Sequence, residues 1–236
     1  TYESSEKALF SADGFGKFGA LDIEEDWADE ARRYYIGIVG KYGRQVQAVL
    51  KKAATLPIET IAPLHGPVWR KNLGWFIGKY DLWSRCEPEE KAVVVLYGSM
   101  YGNTARAAEL FAGLLAEGGA EDLRVYDASI TPVSHLIGEA FRCKQIVLAC
   151  PTYNGGGYPA IEAFVNDMKA LALQGRTFAL LENGSWAPMS AKLMAAKIGE
   201  LKNCTVLDAK VTVRGRLTAT QDAELEACAA AVAASM

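Results

Sequence analysis

In the second part of the chain, short continuous apolar runs alternate with stretches whose apolar residues recur every three or four positions. The runs at 92–97, 123–126, 145–149, 177–181 and 205–213 read as strands. Those at 92–97 and 145–149 are apolar throughout, as central parallel strands buried on both faces must be. Helical periodicity follows each strand, at 104–115, 132–142, 159–173, 187–201 and 219–234. Pro132 and Pro159 fall in the first turns of their helices, where a missing N–H costs nothing. Such strand–helix units predict an α/β, doubly wound parallel five-stranded sheet of order 2-1-3-4-5, which places a ligand at the carboxyl ends of strands 1, 3 and 4.

Residues 1–85 follow another pattern. Strands read at 7–12 and 59–62, a helical stretch runs over 24–54 with a break near 37–43, and 69–83 is helix-like. Two strands hardly make a complete sheet domain. The charged, Pro-containing segment 86–91 reads as a linker, dividing the chain into 1–85 and 92–236.

A chain of 236 residues, half of them hydrophobic, suits one large or two small domains. Its net charge of −3 offers no footprint for nucleic acid or an anionic membrane. No apolar run reaches the roughly 20 residues of a membrane helix and no signal peptide is visible, so a cytoplasmic location is expected. Cys86, Cys143, Cys150, Cys204 and Cys228 stand far apart, which predicts reduced, mostly buried thiols rather than a zinc ribbon, an iron–sulfur cluster or disulfides. The start at Thr1, without an initiator Met, reads as a fragment or a processed chain.

The strand at 92–97 runs through Gly98-Ser99-Met100-Tyr101-Gly102-Asn103-Thr104 into a helix. Such a loop aims free backbone N–H groups and the positive end of the helix dipole at one spot, which suits a phosphate. Ser99 and Thr104 add hydroxyl donors, and Gly98 and Gly102 permit close backbone approach. The loop has no Lys or Arg, so it is not a Walker-type site, and neutral donors suit a resident monophosphate.

Here the residues resemble the flavodoxin signature: Tyr97, Ser99, Gly102, Thr104 and Ala108 fit it, and Phe111 replaces its closing aliphatic on the side of the helix expected to face the sheet. The predicted sheet is accordingly flavodoxin-like. FMN fits better than FAD or NAD, because no Gly-x-Gly-x-x-Gly opens the first helix and only Asp127 stands near the place of an acidic ribose partner. The third strand ends in Pro151-Thr152-Tyr153-Asn154-Gly155-Gly156, suited to lie along a flat ring, and this string resembles that of the flavodiiron proteins. After the fourth strand, Asn183-Gly184-Ser185-Trp186 departs from that family's usual loop but keeps an aromatic for the other ring face. Met100, Tyr101, Tyr153 and Trp186 are the candidate ring contacts, and no side chain need serve as acid, base or nucleophile.

Two strings ahead of the flavodoxin-like part, Leu9 to Gly16 and Ile61 to Arg70, resemble the last portion of the metallo-β-lactamase-like di-iron domain of flavodiiron proteins. The resemblance implies Asp13 as a carboxylate bridging two irons and His65 as an iron ligand. The family's upstream His-x-Glu-x-Asp string is absent, and the other histidine, His135, falls within a helix pattern. A complete di-iron site is therefore not expected of this chain alone. The resemblance implies FMN-dependent electron transfer within an oxygen or nitric oxide reductase. It further implies a rubredoxin or NAD(P)H-linked donor, a head-to-tail homodimer, and a partner chain if the rest of the di-iron domain lies elsewhere. Two alternatives remain open: an NAD(P)H:quinone reductase of the same fold, and a non-catalytic binding module.

Overall fold

In the computed structural model, which describes residues 1–22 and 26–236, the chain divides into two units, Thr1–Glu89 and Glu90–Met236. In the first unit, β1 (Tyr2–Glu3) pairs antiparallel with β2 (Ala8–Ala12), which runs parallel to β3 (Thr60–Pro63). The strand β1 was not anticipated: two residues are too short to carry a period, and only pairing with Ala8 and Leu9 makes them a strand. The helices α1 (Trp27–Ile38) and α2 (Gly43–Ala53) are separated by a 3-10 turn at Gly40–Tyr42, as the break near 37–43 predicted. The start expected at Glu24 lies outside the described residues. Asp26 caps α1 by accepting from the Ala28 N–H at 2.8 Å. The helix α3 (Leu73–Ser84) begins four residues later than its pattern suggested, because Trp69 is instead bridged to Ile61 beside β3.

The first unit is held by aromatic packing. The Trp27 ring meets Phe76 edge-on at 4.5 Å, Phe76 lies 4.1 Å from Trp69, and Tyr35 and Tyr80 pack around Trp83. Glu89 is not a solvated linker residue. Its carboxylate is fully buried and is bound by Arg32, Lys79 and the Trp83 indole N–H, the last at 2.7 Å. Burial raises its pKa, but the charge and hydrogen bonds of Arg32 and Lys79 outweigh this and hold it below the usual carboxylate range.

In the second unit, β4 (Glu90–Tyr97), α4 (Asn103–Glu117), β5 (Leu123–Asp127), α5 (Val133–Arg142) and β6 (Cys143–Tyr153) follow in order. A two-residue strand β7 (Gly156–Gly157), α6 (Pro159–Ala170), β8 (Thr177–Asn183), α7 (Ser190–Ile198), β9 (Thr205–Val213) and α8 (Asp222–Ala234) complete it. The strands lie in the order β5-β4-β6-β8-β9, all parallel, which is the predicted 2-1-3-4-5. Alternate strand residues, Val93, Val95, Val147, Ala149, Leu181 and Val211, form a core with Ala108, Phe111 and Leu115 of α4 and Leu225, Cys228 and Val232 of α8. Phe111 thus takes the inward position expected of it. The helices α5, α6 and α7 pack in succession against one another and against β4, β6 and β8.

Several boundaries differ from the periodicity. The segment 86–91 is not a free linker, since β4 begins at Glu90, which pairs with Cys143. The pattern at 187–201 condenses to Ser190–Ile198, and that at 219–234 opens with a 3-10 turn at Ala219–Gln221. Pro132 stands just before α5, at its N-cap, whereas Pro159 occupies the first turn of α6. Among the described residues, no helix is long and apolar enough to cross a membrane. Cys86, Cys143, Cys150 and Cys228 are buried, and Cys204 is half-buried.

Candidate flavin site

Parallel strands of this order leave a crevice at their carboxyl ends, above β4, β6 and β8. The loop after β4 turns into α4 through Gly102, whose φ of +82° a residue with a side chain would hold only under strain. The Ser99 hydroxyl accepts from the Gly102 N–H at 3.1 Å and so closes the turn. Thr104 is 4% exposed, and its hydroxyl accepts from the Asn183 side-chain amide at 3.2 Å. Among the described residues no side chain caps the amino terminus of α4, so its first N–H groups face the crevice unclaimed by the protein.

Two adjoining clefts lie here. One, of about 130 Å³, is lined by Ser99, Asn103, Thr104, Pro151, Asn183 and Gly215, among others. The second, of about 530 Å³, is lined by Tyr153, Asn154, Gly155, Trp186, Ala187 and Met189. Both are bordered by Met100, Tyr101, Thr152, Gly184 and Ser185. The structure therefore brings the sequence candidates together, with two exceptions. Gly102 shapes the loop from behind, and Gly156 is taken into β7. Tyr101 and Trp186 are 88% and 90% exposed and stand at the rim of the larger cleft, the place for rings that would cover a flat ligand. The neutral, donor-rich small cleft fits a phosphate and the aromatic-rimmed large cleft a planar ring system, so the residues fit FMN.

Three details escaped the sequence reading. The string after the third strand is a β-hairpin in which Thr152 and Tyr153 pair with Gly157 and Gly156. Asn154 and Gly155 turn it with φ of +48° and +74°, a signal that the Asn-Gly pair itself carried. The oxygen of Thr152 faces inward to the protein, accepting from the Met189 and Ser190 N–H groups at the start of α7 at 2.9 and 3.2 Å. The turn after β9 also reaches the small cleft through Gly215, between the exposed Arg214 and Arg216. The predicted strand order placed strand 5 beside strand 4 and could have located this turn.

One further expectation is corrected. The room beside Gly98 is taken by the Tyr158 ring. Asp127, which stands near the place of an acidic ribose partner, accepts from the Ser129 N–H at 2.7 Å in a local turn. Elsewhere, a groove of about 310 Å³ between α4 and α8 carries Glu109, Glu117, Asp222 and Glu226, a charge that repels a phosphate.

In the first unit, Asp13 and His65 follow the carboxyl ends of β2 and β3, which are paired in parallel through Ala12 and Pro63. Both meet Tyr34, whose hydroxyl donates to Asp13 Oδ1 at 2.9 Å and whose ring centroid lies 5.8 Å from that of His65. Burial, and then the bond to Asp13, push the Tyr34 phenol up to about 12, so it stays protonated and a donor. Among the described residues no group of three or more His, Cys, Asp or Glu side chains is placed to hold a metal. Two ligands leave most positions of two irons to water, so the residues present do not fit a di-iron centre.

The family model described as Flavodoxin matches residues 95–231. An uncharacterized protein of Methanocaldococcus jannaschii is 32% identical over 177 residues, covering 72% of this chain and 44% of that protein. A nitric oxide reductase of Moorella thermoacetica is 26% identical over 211 residues, covering 86% of this chain and 52% of that one. The chain thus spans about half the length of these relatives. Among solved structures, the rubredoxin oxygen:oxidoreductase of Desulfovibrio gigas matches 99% of this chain and 60% of its own at a TM-score of 0.89 and 22% identity. The flavodiiron protein of Giardia intestinalis matches 99% of this chain and 58% of its own at a TM-score of 0.88 and 24% identity. With a family model matched over more than half its residues, the chain belongs to the flavodoxin family, whose domain binds FMN.

Proposed function

We propose that residues 90–236 hold one FMN as a resident electron carrier, within a flavodiiron oxygen or nitric oxide reductase of which this chain encodes part. The observation that carries this reading is the junction of the two clefts at the ends of β4, β6 and β8. Bound there, FMN would supply two-electron and one-electron redox chemistry. The chain's own residues bind and orient it. Ser99, Thr104 and the first amides of α4 would hold the phosphate, and Tyr153, Trp186, Met100 and Tyr101 would flank the ring. With no lysine or arginine within the loop after β4, phosphate retention rests on directed hydrogen bonds and the helix terminus.

The first unit is read as the last portion of a di-iron domain, with Asp13 and His65 as two of its ligands and the remainder supplied from outside this chain. A rubredoxin or NAD(P)H-linked protein as donor, oxygen or nitric oxide as acceptor, and a homodimeric assembly belong to the same reading. The names of the Moorella and Desulfovibrio proteins support it. The test is a visible spectrum with flavin and iron stoichiometry on the purified chain. About one FMN and far fewer than two irons per chain are expected, from the ligand count. A folded, colourless protein that takes up no FMN on titration would sink the reading and favour a non-catalytic module.

A further inference from the structure

We infer that Asn183 is a positioning residue for the anion pocket: its side-chain amide sets the Thr104 hydroxyl as a hydrogen-bond donor toward the phosphate. The inference rests on the FMN reading of the small cleft and adds to it a residue that acts through another.

The orientation of the amide follows from bond polarity. Gly215 N–H donates to Asn183 Oδ1 at 3.0 Å, and a backbone N–H can only donate, so the atom facing it must be the amide oxygen. The other amide atom is then the nitrogen. It has two hydrogens, and the structure uses both, one to the Gly215 carbonyl at 2.9 Å and one to Thr104 Oγ1 at 3.2 Å. Asn183 is 7% exposed, so these bonds form largely out of water, where an unmade one is costly.

Thr104 receives the consequence. Its oxygen accepts from Asn183, so its own hydrogen cannot point at that amide and must turn elsewhere. Among the described residues it donates to nothing, and the open side of this buried side chain is the small cleft that it lines. Ser99 is in the same state, its oxygen accepting from Gly102 N–H. The pocket therefore presents hydroxyl hydrogens alongside the first amides of α4. The fixed turn at Gly215 starts this chain of polarity and Thr104 ends it.

The test compares FMN with riboflavin, which lacks the phosphate, by fluorescence titration of the apoprotein. Asn183→Leu should weaken FMN about ten- to hundred-fold, as expected for a lost hydrogen bond to a charged group, while riboflavin changes less than about threefold. Thr104→Val should do the same, and in the Thr104→Val background Asn183→Leu should cost little more. Additive losses, or equal losses for both ligands, would mean that Asn183 merely holds the Gly215 turn and would overturn the inference alone. Asn183→Asp provides a second variant should the leucine protein not fold. It keeps an acceptor for Gly215 N–H but takes the Thr104 hydrogen for itself, so FMN preference should collapse, and an unchanged preference would refute the relay. Failure of the unaltered protein to bind FMN would instead remove the functional reading and this inference with it.

Discussion

The ring of Tyr158 occupies the space beside Gly98, where an added Cβ would lie 2.2 Å from Tyr158 Cδ1. The strand-end loop after β4 and the start of α6 thus approach within the thickness of a ring. Gly98→Ala is expected to destabilise the second unit by about 1–3 kcal/mol, the usual cost of overpacking. In the background of Tyr158→Ala the added methyl has room, and the loss should shrink to a small fraction. Chemical denaturation of the two singles and the double measures this, and equal losses in both backgrounds would refute the steric account.

Replacing Arg32 with Met strands part of the Glu89 charge in a buried site, and a loss of about 3–5 kcal/mol from the first unit is expected. Trp27, Trp69, Trp75 and Trp83 lie in that unit, so tryptophan fluorescence follows its unfolding. In the unaltered protein Glu89 titrates below the ordinary range when folded. Its contribution is therefore present above the unfolded carboxylate pKa and fades as pH falls through the folded one. The difference between Arg32→Met and the unaltered chain should accordingly narrow in acid.

Burial pushes the thiols of Cys143, Cys150 and Cys228 up to about 12, 11 and 11. Unfolded thiols titrate near about 8.5, so these groups contribute stability below that value and lose it as pH rises toward their folded pKa. At pH 8 a thiol reagent should modify Cys204 first and the buried four only on unfolding. Fast labelling of more than one thiol in the folded protein would contradict the placement.

Arg214 and Arg216 flank Gly215, a lining residue of the small cleft. Their backbones adjoin that cleft, and attraction of an anion to exposed charges acts over about a Debye length, about 10 Å at 0.1 M salt. FMN association should slow as salt rises, and Arg214→Gln with Arg216→Gln should flatten that dependence while leaving riboflavin association unchanged. A salt dependence identical in the variant would remove these arginines from the account.

The order of the parallel strands was legible because each is long, apolar and followed by a helix of clear period. The loops at 99–104, 151–156 and 183–186 stood out as candidates because strand ends with hydroxyls, amides and glycines have few structural uses. The strand at Tyr2–Glu3 was not, having no period of its own, and the segment 86–91 read as a linker because its charges carry no mark of burial. Thr152 and Asn183 could be named as candidates, but not the direction of their hydrogen bonds.

Local patterning thus determined the elements and the chemistry offered at the strand ends, since hydrophobic period and turn residues act over a few neighbours. The tertiary structure alone decided what that chemistry faces. It buried Glu89 between Arg32 and Lys79, filled the space at Gly98 with a ring from 60 residues further along, and joined Thr104, Asn183 and Gly215 into one set of bonds. Those partners are remote in the chain, and hydrogen-bond polarity is settled only when donor and acceptor meet in space.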